Sequence, residues 1–202
     1  PPASAGPAPA ASAPPAASAP PAAPGGPAAS QPPSAAMPRP NGPIPPGWQV
    51  YTGPRAFPIV IAYPPDWRVD DSLYPGSLII FLVGPLDGEN QEQRVDIEPG
   101  YNGEGANIDV QRDDYFYRKT EFCAEKGIEY TERRQASGVP FAILGATCDQ
   151  SDVLYFLQVA SGVTSGDEWN ISLRSLYEQK AEHQAIFNQM IASMYIYGRL
   201  GR

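Results

Sequence analysis

His183 is the only histidine in the chain, so most hydrolytic chemistry would have to pass through it. It sits among Gln179, Lys180, Glu182 and Gln184, and these neighbours describe a solvated helix face. A base for a Ser-His-Asp or Cys-His site needs partners that the pattern does not supply. One histidine and two cysteines also lack any metal-ligand spacing. Asp87-Gly88-Glu89-Asn90 is acidic but lacks the spaced oxygen ligands and distal Glu of an EF-hand, and it reads as a turn. Gly100-Tyr-Asn-Gly103-Glu-Gly105 precedes a helix without the glycine spacing or Gly-Lys-Ser/Thr of a phosphate loop, and Glu104 would repel phosphate. Asn170-Ile171-Ser172 matches a glycosylation sequon but falls within an expected strand. Among 22 acidic residues some carboxylate pair always looks plausible, so none is assigned to glycoside hydrolysis. The expectation is a non-enzymatic protein with no cofactor and no metal.

Cys123 and Cys148 are the two cysteines. An even count in a chain with an export-like tail permits one disulfide, and two buried free thiols are the other arrangement. Tyr115, Phe116 and Tyr117 follow one another on an expected helix. Three successive aromatics cannot all face one core, so at least one is exposed or meets a partner. They are candidates for a partner interface, as is Arg39, the lone charge of the leader.

The first 46 residues hold that one charge and no Tyr, Phe or Trp. Residues 1–46 are therefore expected to be a Pro/Ala-rich extended tail, with polyproline II character, serving as a tether or strap. Residues 47–202 form the domain, with 13 basic against 22 acidic residues, a net −9. That balance argues against nucleic acid or anionic lipid as a partner of the whole surface. The basic residues Arg112, Arg118, Lys119, Arg133 and Arg134 read as solvated charges on a helix and a strand. No stretch is long and apolar enough to span a bilayer. The chain opens on Pro-Pro without a signal-type region, so membrane contact is expected only through an anchor upstream of residue 1 or through partners.

The domain turns on Phe57–Val69. Phe57, Ile59, Ile61 and Tyr63 alternate onto one face of a strand, Pro64-Pro65-Asp66 breaks it, and Trp67 and Val69 resume. Leu78–Val83 reads as a central strand and Arg94–Glu98 as a short one. Val110 to Lys126 reads as a helix capped by Asn107 or Asp109 and stopped by Gly127. Ile128–Gln135 and Phe141–Cys148 flank a five-residue hairpin loop. Val153–Ala160 and Trp169–Leu173 follow as strands, with a turn at Ser161–Asp167 between them. The last helix runs from about Leu176 to Met194, with Phe187, Met190, Ile191 and Met194 as its core stripe. Ser193–Tyr197 is a short edge. The result is α+β: one twisted antiparallel sheet with helices packed on it.

The pattern Phe57-x-Ile59-x-Ile61-x-Tyr63-Pro64-x-x-Trp67-x-Val69, with Trp169-x-Ile171-x-Leu173 and the closing helix, resembles the PsbP family of extrinsic photosystem II subunits. It is also similar to the wider fold group that includes mycobacterial LpqN-type lipoproteins and a nuclear import factor that binds the GTPase Ran. The leader resembles that of the alanine- and proline-rich secreted antigen of mycobacteria. The resemblance covers about residues 48–197 and implies an α/β/α sandwich in a mostly non-enzymatic group. Its metal and manganese-cluster roles find no matching residues here.

These readings converge on an accessory subunit at the periplasmic or other extracytoplasmic side of a membrane. It would dock on protein subunits of a larger complex, photosynthetic or respiratory. The alternative is a secreted or surface-anchored binding protein for a small apolar ligand or a host protein. Its sign would be an apolar cavity between helix and sheet or an exposed aromatic patch.

Overall fold

The computed structural model describes residues 37–72, 78–81, 93–101, 107–164 and 166–200. Ten strands and two helices follow one another along it. Strands β1 (Gln49–Thr52), β2 (Ile59–Tyr63), β3 (Arg68–Asp70), β4 (Leu78–Phe81) and β5 (Arg94–Tyr101) precede helix α1 (Ile108–Lys119). Strands β6 (Glu125–Ala136), β7 (Val139–Gln150), β8 (Val153–Thr164) and β9 (Asp167–Leu176) come next. A 3₁₀ turn, helix α2 (Lys180–Ser193) and β10 (Tyr195–Ile196) close the domain.

The strands form two antiparallel sheets rather than one. The larger has the order β3-β4-β5-β9-β8-β7-β6, and the smaller is β1-β2-β10. Alternation along the strands separates two faces. Leu144 and Ala146 of β7 and Leu157 and Val159 of β8 meet Tyr115 and Phe116 of α1. Phe141, Ile143, Phe156, Ala160, Trp169, Ile171 and Leu173 point the other way. There they pack on Phe187, Met190, Ile191 and Met194 of α2, and on Phe57, Ile59, Ile61 and Trp67. The large sheet therefore lies between α1 on one side and α2 with the small sheet on the other, an α+β sandwich. The expected core is all in place, with Trp67 6% exposed and Phe57, Ile59, Ile61, Trp169, Phe187, Met190 and Ile191 at 0%. Each such side chain contributes ~1.5–3 kcal/mol by leaving water.

Several boundaries differ from the sequence reading. Helix α1 stops at Thr120, whose backbone N–H donates to the carbonyls of Phe116 and Tyr117. Its start agrees: the Asn107 side chain accepts from the N–H of Asp109. Gly127 is no helix stop but a β6 residue opposite Thr147. The helix ends early because tertiary pairing wins over propensity. Ala124 N–H donates to Asp149 O, and β6 begins at once. The β6–β7 hairpin needs only Ser137 and Gly138, both at positive φ (55° and 77°), as a two-residue turn of the primed type demands. The Ser151–Asp152 turn repeats that geometry (53° and 65°). Tight turns let β6, β7 and β8 each run 12 residues, and the expected turn at Ser161 is strand instead. Gly100 and Tyr101 likewise belong to β5.

The expected tail is described from residue 37 on, and this part is attached to the domain. Asn41 N–H donates to Ser193 O, and its side chain donates to Ser137 Oγ (2.7 Å) and Met194 O (3.0 Å). Gln189 Nε2 donates to Pro43 O. Residues 1–36, the Asp87–Asn90 turn and the loop at 102–106 lie outside the described residues.

Candidate protein-binding surface

The aromatic triplet on α1 divides as helix geometry requires. Tyr115 is fully buried and donates to Ser172 Oγ of β9 (3.2 Å). Burial, with the nearby carboxylates of Glu98 and Asp96, pushes its phenol well above the ordinary tyrosine pKa. Phe116 is 8% exposed, against the same sheet face. Tyr115 and Phe116, expected as interface candidates, are core residues. Tyr117 alone reaches the surface, at 67%.

Two further large apolar side chains stand exposed beyond the end of α1 in the chain. Phe122 (71%) lies in the turn after α1, and Ile128 (64%) lies at the start of β6. Lys126 links helix to strand. Its Nζ lies 5.1 Å from the Tyr117 ring centroid and 5.8 Å from that of Phe116, and it donates to Thr120 Oγ1 (3.1 Å). A disulfide between Cys123 and Cys148, with Cα atoms 5.5 Å apart, fastens the turn to β7. The exposed side chains therefore project from a backbone held by a covalent bond, a ladder hydrogen bond and a helix cap. Sequence reasoning named Tyr117 only together with Tyr115 and Phe116, and it missed Phe122 and Ile128.

The flank of α1 toward β5 and β9 is polar. Lys119 Nζ pairs with Asp96 (2.8 Å) and with Glu98, Arg94 pairs with Asp96 (3.1 Å), and Arg118 pairs with Glu98 (3.6 Å). Arg94, Asp96, Arg118, Lys119, Phe122, Ser172 and Arg174 contribute to a cavity of about 250 Å³. These pairs fix the rotation of α1 over the sheet and so decide which aromatic points outward.

Arg39 is exposed, but Asn41, two residues on, is bound at Ser137 beyond the far end of β6 from Lys126. Eleven strand residues of separation put the leader attachment and Tyr117 roughly 30 Å apart. The structure does not bring Arg39 and Tyr117 together.

His183 corrects the solvated-helix expectation. It is 9% exposed, with Nδ1 2.6 Å from Ser175 Oγ and its ring edge-on to Trp67 at 6.2 Å. Burial lowers its pKa below the usual 6.5, against the opposing pull of Glu182 and Asp66. The Ser175–His183 contact is a clamp and not a nucleophile with its base. Ser175 is fully buried, and its hydroxyl also lies 3.2 Å from Gln93 Oε1 and 3.1 Å from Leu176 O. Asn170 of the sequon is 3% exposed and donates to Glu168, so in the folded chain it is inaccessible to a glycosyl donor. Among the described residues no group of three or more His, Cys, Asp or Glu is placed to hold a metal ion. No described helix is long and apolar enough to cross a membrane.

No protein-family profile and no curated protein matches the chain. Solved structures do match. The cyanobacterial PsbP (CyanoP) of Synechocystis sp. PCC 6803 is 14% identical, with a TM-score of 0.52 over 75% of this chain and 93% of its own. LpqN of Mycobacterium tuberculosis, involved in cell envelope biogenesis, is 13% identical at 0.52 over 68% and 82%. The Saccharomyces cerevisiae Ran-binding protein Mog1p is 9% identical at 0.51 over 70% and 91%. The fold is PsbP-like. At these identities the likeness shows the fold alone.

Proposed function

We propose that this protein is a non-catalytic accessory subunit that docks on a larger membrane-associated complex from the periplasmic or another extracytoplasmic side. Photosynthetic and respiratory assemblies are the candidate hosts. The Pro/Ala-rich leader acts as tether or strap. The observation that carries the reading is the exposure of two large apolar side chains, Tyr117 near the end of α1 and Phe122 in the turn that the Cys123–Cys148 bond fastens. Large apolar side chains on a rigid backbone lose little conformational entropy on binding, as interface anchors do. The disulfide is compatible with an oxidising compartment. The partner class is taken by analogy from the resemblance to the PsbP family of extrinsic photosystem II subunits, whose fold this chain shares with CyanoP.

Pull-down from detergent-solubilised membranes tests this. The full chain should retain specific membrane subunits, and a Tyr117→Ser/Phe122→Ser double variant should lose them while melting at the same temperature. A chain that migrates alone in every preparation, with or without residues 1–46, would rule the reading out. The alternative, a secreted or surface-anchored binding protein, has a cleft on another part of the domain in its favour.

A further inference from the structure

The turn joining β1 to β2 and the segment after β10 form the walls of an open cleft of about 540 Å³. Arg55, Ala56 and Pro58 line one side, and Tyr197, Gly198 and Arg199 line the other. None of these residues belongs to the α1 surface.

The walls are fixed without a ligand. Phe57 N–H donates to Pro54 O (2.8 Å), closing a turn that carries Arg55 and Ala56 at its tip. Gly53 N–H donates to Ile59 O (2.8 Å), and a Cβ on Gly53 would lie 2.1 Å from Phe57 O, so only glycine permits this approach. Opposite, Tyr197 N–H donates to Pro58 O (3.0 Å) and its hydroxyl donates to Gly53 O. The phenol ring is thereby held as a wall. A Cβ on Gly198 would meet Pro58 Cβ at 3.2 Å, which keeps the two segments close.

The lining has two chemistries. The Pro58 ring, the Ala56 methyl and the Tyr197 ring are apolar. Arg55 and Arg199 are the two basic residues of the lining, on a chain whose net charge is −8. Arg55 is exposed and makes no ion pair or hydrogen bond among the described residues. A preformed volume within the ~300–1,000 Å³ range of small-molecule sites, with a few placed polar groups, is the form such sites take. We propose that this cleft binds a small organic oxyanion, a carboxylate or phosphate monoester carrying a flat apolar body. Arg55 holds the oxyanion through its planar fork, and the rings of Pro58 and Tyr197 cover the body.

The test is a ¹⁵N-HSQC titration of the full chain with phenyl phosphate, benzoate, benzyl alcohol and inorganic phosphate, repeated on Arg55→Gln. At least one aromatic anion should shift the amides of residues 55–57 and 197–199 saturably. Arg55→Gln should weaken that binding roughly ten- to hundredfold, the loss of a charge-assisted hydrogen bond, with unchanged melting temperature. Sedimentation with vesicles of phosphatidic acid, whose headgroup is a phosphate monoester, and of phosphatidylcholine separates the sources of the anion. Arg55-dependent binding to the first alone assigns a lipid headgroup, and binding of the soluble probes without vesicles assigns a free metabolite. No saturable shift with either aromatic anion and no Arg55-dependent vesicle binding would overturn the proposal. So would Arg55→Gln titrating as the parent does, or benzyl alcohol or inorganic phosphate matching the aromatic anions in affinity. None of these outcomes bears on the α1 surface, so this inference and the docking reading fail separately.

Discussion

His183 Nδ1 sits 2.6 Å from the Ser175 hydroxyl, so the only imidazole in the protein is a buried fastener between α2 and β9. Its pKa is lowered chiefly by burial. The unfolded chain therefore binds this proton first as pH falls, and the imidazole's contribution to stability is complete above about 6.5 and declines below it. Because no second histidine overlaps, its NMR titration is read without assignment. The midpoint should lie below 6.5, and the thermal midpoint should fall on acidification through that range. A midpoint at or above 6.5 would contradict the burial described.

Removing the disulfide should cost more than a surface change would. Cys123 and Cys148 close a loop of 25 residues, and the chain-entropy relation gives about 3.5 kcal/mol for that length. Urea unfolding of Cys123→Ser/Cys148→Ser, compared with the oxidised parent, measures it. Hydrogen exchange should rise first at residues 120–124, where the turn loses its fastening.

Trp67→Ala should destabilise by ~3–5 kcal/mol, since its ring is buried against His183 and the core. Tyr117→Ala, one surface aromatic away from the core, should stay within about 0.5 kcal/mol. Chemical denaturation of both variants checks the contrast. Equal effects would mean that the two aromatics do not differ in burial as described.

Gly145 in β7 lies beneath the Tyr130 ring. A Cβ there would come within 2.1 Å of Tyr130 Cε1, and the ring is anchored by Gln184 Nε2 donating to its hydroxyl (2.7 Å). Gly145→Ala should cost ~1–3 kcal/mol by forcing that ring away. In the Tyr130→Ala background the same change should cost much less, so the double-mutant cycle should show coupling. Additive effects would show that the ring does not lie where described.

Much of this architecture was legible where periodicity and chemistry agreed. The Phe187, Met190, Ile191 and Met194 stripe and the alternation from Ile59 to Tyr63 led to core positions because burial selects those spacings. His183 was misread although it stands four residues before Phe187, on the same helical stripe. The polarity of its neighbours outweighed its position, and position was the better guide. The end of α1 was not legible, because nothing in Thr120–Lys126 breaks a helix. It is the pairing of Ala124 with Asp149 and the bond to Cys148 that stop it. The exposed face was legible only in part. The triplet rule required an outward aromatic, but the rotation that selects Tyr117 is set by Lys119 with Asp96 and Glu98, contacts between residues distant in sequence.

The two-residue turns described above also set an order of assembly. β6 to β9 are joined through such short connections that each can zip from its own turn, with little loop to close. β2 must instead wait for Tyr195 and Ile196, which pair with Val60 and Ile59 from the other end of the domain. Folding should therefore begin in the β6–β9 meander and finish at the small sheet. The cleft beside Arg55 would be among the last features to form and the first to open, and its ligand, once bound, would act as the latch on the whole chain.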